Sequence, residues 1–158
     1  MTKMEISEKG IALIKEFEGC KLYAYRDAVG VPTIGYGHTK GVYMGMAITQ
    51  AQADKFLVED LKDCFVTLNK LGVNLAQRQF DALCSWIYNL GKGNFASSTL
   101  RKRIVADADD EAVTDEIVKW VYAGGKVLTG LQRRRIAEAN MFLGRKRYML
   151  RNSLIVKV

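Results

Sequence analysis

Between two stretches of helical periodicity lies a segment that no helix accommodates. Residues 22–46 interleave Tyr23, Tyr25, Val29, Val31, Ile34, Tyr36, Val42 and Tyr43 with glycines at 30, 35, 37, 41 and 45. Aromatic and β-branched side chains suit a pleated surface, and the glycines supply turn conformations. The segment therefore predicts a small, strongly turned antiparallel sheet. Upstream, Ile11, Ile14 and Phe17 recur at helical spacing behind Ser7, a good N-cap, with Gly19 as a stop. Downstream, Thr49-x-x-Gln52 is a capping-box pattern. It opens a long helix to about Leu71, with an apolar stripe of Phe56, Leu57, Leu61, Cys64, Phe65 and Leu68 and Gly72 at its end.

From there the pattern is helical. Asn74 is placed to cap a helix through Phe80, Leu83, Cys84 and Ile87, ending near Gly91. Further helices are expected at about Thr99–Val105, at Asp110–Tyr122 before Gly124-Gly125, and at Leu131–Leu143. Strands segregated from helices argue for an α+β fold rather than a doubly wound sheet. The expectation is one domain over residues 1–158: a β lobe at about 20–48, a helical lobe at about 1–19 and 73–158, and a connecting helix at about 50–71. A cleft between the lobes would then hold a site.

Several classes of chain are disfavoured. No apolar run approaches the roughly eighteen residues of a membrane span, and the start, Met1-Thr-Lys-Met-Glu-Ile, lacks the apolar core of a secretory signal. Synthesis and initial retention in the cytoplasm are expected. Cys20, Cys64 and Cys84 are odd in number and widely spaced, which fits neither a disulfide framework nor a metal knuckle, and His38 is the one histidine. Neither a metal nor a cofactor is expected. The net charge of +7 favours an anionic partner, with nucleic acid, a membrane surface and an acidic wall polymer all eligible. No nucleic-acid-binding motif accompanies the charge, and the arginines at 133–135 point in different directions if helical.

Chemistry concentrates in Glu18, Asp27 and Thr33, an E-x8-D-x5-T pattern running from the first helix into the sheet. Glu18 falls on the apolar stripe of its helix and in its last turn, so partial burial and the negative helix end both favour the protonated carboxyl a general acid needs. A solvated glutamate at a frayed helix end is the plainer alternative. Asp27, before Ala28-Val29-Gly30, suits a turn that binds its own backbone amides, and Thr33 suits a strand. If both face the same space, a hydroxyl and a carboxylate would hold a water beside a sugar. His38 is expected to make a structural hydrogen bond.

These residues sit in blocks that resemble the phage-type lysozymes, the muramidases that phages use as endolysins. The blocks are Pro32-Thr-Ile-Gly-Tyr-Gly-His-Thr39, Ser85-Trp-Ile-Tyr-Asn-Leu-Gly91, Gly93-Asn-Phe-Ala-Ser-Ser-Thr-Leu100, Trp120-Val-Tyr-Ala-Gly-Gly125 and Gly130-Leu-Gln-Arg-Arg-Arg-Ile-Ala-Glu138. The resemblance runs from about Ile6 to Leu143. It implies hydrolysis of the β-1,4 linkage between N-acetylmuramic acid and N-acetylglucosamine of peptidoglycan, with inversion, Glu18 as general acid, and Asp27 and Thr33 positioning water. It implies Thr39, Tyr88 and Thr99 as sugar contacts and Arg133 as an ion-pair partner of Glu18. It further implies a monomer that depends on a holin to reach the wall. The alternatives are a lytic transglycosylase, which does not need a held water, and a non-catalytic wall-binding module. The tail after Leu143 departs from the family's usual ending, and its alternating basic and apolar residues suggest a final helix or strand on the surface.

Overall fold

The computed structural model describes residues 3–158. The chain divides into two compact units: Ile14–Asp63, and the chain before Ile14 together with that from Cys64 onward. The boundaries fall inside α1 (Glu8–Glu18) and α2 (Gln50–Asn69).

In the smaller unit, β1 (Lys21–Arg26) pairs antiparallel with β2 (Pro32–Gly35), with Tyr25 opposite Thr33 and Arg26 opposite Pro32. The register of β1 shifts between Lys21 and Tyr25, so its ladder is irregular there. Its other edge meets residues 46–48, where Ala24 donates to Met46 and Ile48 to Leu22, both at 2.9 Å. The glycine-rich stretch is thus mostly turn: Ile34 and His38 exchange both backbone bonds at 2.9 Å around a loop with Gly35 and Gly37 at φ of 64° and 90°. That reversal buries Ile34, Tyr36 and His38. His38 stacks on Phe56, with centroids 4.1 Å apart, and its Nδ1 lies 2.8 Å from Asp60 Oδ2, a structural hydrogen bond. The capping box at α2 is formed in both directions: Gln52 N–H donates to Thr49 Oγ1 at 3.2 Å and Thr49 N–H to Gln52 Oε1 at 2.9 Å. Lys15 and Asp54 pair at 2.9 Å across α1 and α2.

The larger unit is built around α3 (Gln77–Leu90), buried at every position from Gln79 to Ile87. Asn74 does not cap this helix. The N-cap is Ala76, whose N–H donates at 2.8 Å to the Gln79 side chain, so a glutamine reaching back replaces the expected cap. Two short helices follow, α4 (Lys92–Ser97) and α5 (Thr99–Ala106), the latter capped by Ser98 Oγ accepting from Arg101 N–H at 3.0 Å. The expected helix at Asp110–Tyr122 shrinks to α6 (Ala112–Ile117). Tertiary packing overrides propensity there: Trp120 leaves the helix to meet Trp86 edge-on at 5.2 Å, and Val121 O accepts from Leu128 N–H at 3.0 Å. The intervening residues form the hairpin β3 (Tyr122–Ala123) and β4 (Lys126–Val127), turned by Gly124 and Gly125.

Helix α7 (Thr129–Leu143) packs along α3 and carries the charges at their interface. Glu138, fully buried, accepts from Ser85 Oγ at 2.5 Å and Arg134 Nε at 3.2 Å, and its Oε1 lies 2.7 Å from Arg135 Nε. The tail forms β5 (Tyr148–Arg151) and β6 (Leu154–Lys157), turned through Asn152 and Ser153 in the left-handed region. Tyr148, 2% exposed, fastens it: its hydroxyl meets Thr114 at 2.8 Å and donates to Asp115. Burial raises the Asp115 pKa, but the Tyr148 and Lys157 bonds outweigh it and hold the carboxyl below its usual range.

The start of α1 is fixed within this larger unit. Asp81 of α3 accepts from Ser7 N–H at 2.9 Å, from the Ser7 hydroxyl and from Gln77 Nε2 at 2.8 Å. Gly10 lies against this contact: a Cβ there would sit 2.5 Å from Ile6 Cγ1 and 2.8 Å from Asp81 Cβ. Gly10→Ala is expected to destabilise by about 1–3 kcal/mol, despite alanine's better helix propensity, because overpacking outweighs it. Urea unfolding midpoints check this, and a midpoint at or above wild type would show that the helix shifts without strain.

Candidate active site

Glu18 closes α1 and is half-buried, on the last residue that the helix orients. Gly19, at φ 67°, then turns the chain into β1, and its N–H donates to Lys15 O at 3.0 Å. Asp27 stands one residue past β1. Its Oδ1 accepts two backbone amides, from Val29 at 3.0 Å and Val31 at 2.8 Å, while its own N–H donates to Val31 O at 3.0 Å. The turn reading and a chemical reading of Asp27 are therefore compatible, since both amides go to one oxygen. Oδ2 accepts no hydrogen bond from the described residues.

Thr33 is 4% exposed. Its hydroxyl donates to Val31 O at 2.8 Å, so the oxygen is left to act as an acceptor. Val31 thus anchors both side chains, through its N–H for Asp27 and its carbonyl for Thr33.

Tyr25 was not among the sequence candidates. It is the direct cross-strand partner of Thr33, so the two project from the same face of the hairpin. Asp27 lies two residues further along the chain, at the position that alternation assigns to that face. Lys21 Nζ sits 5.6 Å from the Tyr25 ring centroid. Burial first, then the negative charges of Glu18 and Asp27, raise the Tyr25 pKa. The phenol therefore feels both carboxylates and keeps its proton.

The other sequence candidates divide between the units. Thr39 is exposed in the turn after His38, within Ile14–Asp63. Tyr88, half-buried on α3, Thr99, exposed at the start of α5, and Arg133, exposed on α7, belong to the larger unit. Of the arginine run it is Arg134 and Arg135, not Arg133, that are buried. Among the described residues no group of three His, Cys, Asp or Glu side chains is placed to hold a metal ion, and no helix is long and apolar enough to cross a membrane.

Residues 15–138 match the Phage lysozyme family model, a span that includes Glu18, Asp27 and Thr33. The chain belongs to the phage lysozyme family. An endolysin of Acyrthosiphon pisum secondary endosymbiont phage 1 is 44% identical over 144 residues, covering 88% of this chain and 98% of that protein. Among solved structures, the endolysin from Escherichia coli O157:H7 phage FAHEc1 aligns with a TM-score of 0.81 at 38% identity, covering 90% of this chain and 95% of that one. The muramidase domain of SpmX from Asticaccaulis excentricus aligns with the same TM-score at 34% identity, over 88% of this chain and 97% of that one. The lysozyme-like α+β fold and the enzymatic class follow: this phage lysozyme is a peptidoglycan-lytic muramidase, not a binding module without catalysis. Its β5–β6 hairpin lies beyond the residues matched by the family model.

The missed residue had a faint signal. Tyr25 stands two residues before Asp27 in a segment of alternating tyrosines (Tyr23, Tyr25), and only the strand register distinguishes it from the exposed Tyr23.

Proposed function

We propose that this phage lysozyme hydrolyses the β-1,4 bond between N-acetylmuramic acid and N-acetylglucosamine with inversion. Glu18 is the general acid that protonates the leaving oxygen, and Asp27 and Thr33 hold the water that attacks from the opposite face of the sugar. The observation that carries the reading is the hydrogen-bond economy around Val31. With Asp27 Oδ1 occupied by two amides and the Thr33 proton occupied by a carbonyl, the groups left over are two acceptors, Asp27 Oδ2 and Thr33 Oγ1. A water bridging two acceptors donates both its protons to them and turns its lone pairs outward, which is the posture of a nucleophile. As the Asp27 carboxylate takes up the departing proton, the oxygen becomes the new anomeric hydroxyl. Thr39, Tyr88 and Thr99 join the proposal as sugar contacts.

The partner is bacterial peptidoglycan, and the reading includes a monomer made in the host cytoplasm that reaches the wall after a holin opens the membrane. Digestion of purified peptidoglycan in H2(18)O, followed by mass spectrometry of the muropeptides, tests the reaction. Each new reducing N-acetylmuramic acid end is expected to carry one 18O. Unlabelled 1,6-anhydro ends would instead assign the chain to the lytic transglycosylases.

A further inference from the structure

The two groups that the β-hairpin offers to the proposed water are both acceptors: Asp27 Oδ2, and Thr33 Oγ1 with its proton given to Val31. A glycan presents acceptors as well as donors, in its hydroxyl and acetamido carbonyl oxygens, and a hairpin face that offered acceptors alone would leave the acceptors nearest to it unmatched. Tyr25 supplies the missing polarity. Its ring projects from the same face as Thr33, its immediate cross-strand partner, with the Lys21 ammonium 5.6 Å from the ring centroid. Its hydroxyl makes no hydrogen bond with any described residue.

We propose that the Tyr25 hydroxyl contacts the saccharide, donating a hydrogen bond to an acceptor oxygen of the glycan beside the scissile linkage. The inference rests on the reading of Glu18, Asp27 and Thr33 as the catalytic set. The phenol is suited to the part because burial and the two neighbouring carboxylates disfavour its ionised form, so it stays a donor across the neutral pH range.

Tyr25→Phe removes the hydroxyl and keeps the ring and its contact with Lys21. Its binding of tri-N-acetylchitotriose, measured by calorimetry in a Glu18→Gln background so that no turnover intervenes, is expected to weaken about tenfold relative to Glu18→Gln alone. With Glu18 present, KM for purified peptidoglycan rises by a similar factor and kcat stays within about twofold, the signature of binding shared by ground and transition states. Tyr43→Phe, at an exposed tyrosine of the same unit, leaves both unchanged. Unaltered chitotriose affinity would overturn the proposal, and so would a fall in kcat with KM unmoved, which would place the hydroxyl's partner in the protein. A second measurement needs no variant: the Tyr25 ring carbon resonance of wild-type protein shifts saturably with chitotriose, and a resonance that stays put refutes the contact. If Glu18→Gln retains activity, the catalytic reading itself fails, an outcome separate from the chitotriose titrations.

Discussion

Replacing Glu18 with glutamine is expected to lower kcat on purified peptidoglycan by about three orders of magnitude, the loss that the proposed role of general acid entails. The substitution keeps the side chain's size and its capacity to accept a hydrogen bond, and it sits at the last residue of α1. Stability is therefore expected to change by less than about 1 kcal/mol, so loss of activity reports chemistry and not folding. The measurement is release of reducing ends, with thermal unfolding in parallel. A glutamine variant within tenfold of wild type would remove Glu18 from the role, because an amide has no proton to give the leaving oxygen.

The largest effect on stability is expected at Glu138. Both of its oxygens are engaged inside the larger unit, with Ser85 and Arg134 on one and Arg135 Nε at 2.7 Å from the other. All four residues are buried, and Ser85, Arg135 and Glu138 are fully so. Glu138→Ala removes the anion and leaves two guanidinium charges in a low-dielectric site. Arg134 still reaches the Ser85 carbonyl at 3.1 Å and Arg135 the Asn89 side chain at 2.9 Å, but the buried anion that both guanidiniums contact is gone. Breaking such a cluster costs about 3–5 kcal/mol, which lowers Tm by roughly 10 °C in a chain of this size. Urea denaturation measures the loss directly. A triple variant with Met or Leu at 134, 135 and 138 is expected to recover most of it, because removing one member of a buried charge cluster costs more than replacing the cluster with apolar side chains. A change below about 1 kcal/mol for Glu138→Ala alone would mean that water enters to solvate the arginines.

Local signals in the sequence marked the elements that local physics decides. The Thr49–Gln52 box starts α2 where the pattern placed it, and Gly19 and Gly72 take the positive φ expected of helix stops. Asp27 as a turn residue was equally readable, since its partners lie two and four residues away. What escaped was decided by distant contacts. The Trp120–Trp86 contact shortened α6, and Gln79 reaching back replaced the cap expected from Asn74. The β5–β6 hairpin rests on Tyr148 finding Thr114 and Asp115, more than thirty residues away. Tyr25 became visible as a candidate for the site only through its register against Thr33. In the arginine run, helical phase predicted different directions but not which member would be buried.

The turn between the strands has a consequence for how this chain can vary. Ala28, Val29 and Gly30 are exposed, Val29 by 84%, and exposed loop tips ordinarily accept insertions and deletions freely. This one has no slack. Val31 must present its N–H to Asp27 and its carbonyl to Thr33 together, so one residue more or fewer between 27 and 31 would withdraw both at once. Side chains at the tip are open to change, while the length of the loop is as constrained as any buried position. Relatives that keep the aspartate and threonine should therefore differ here in spelling but not in spacing.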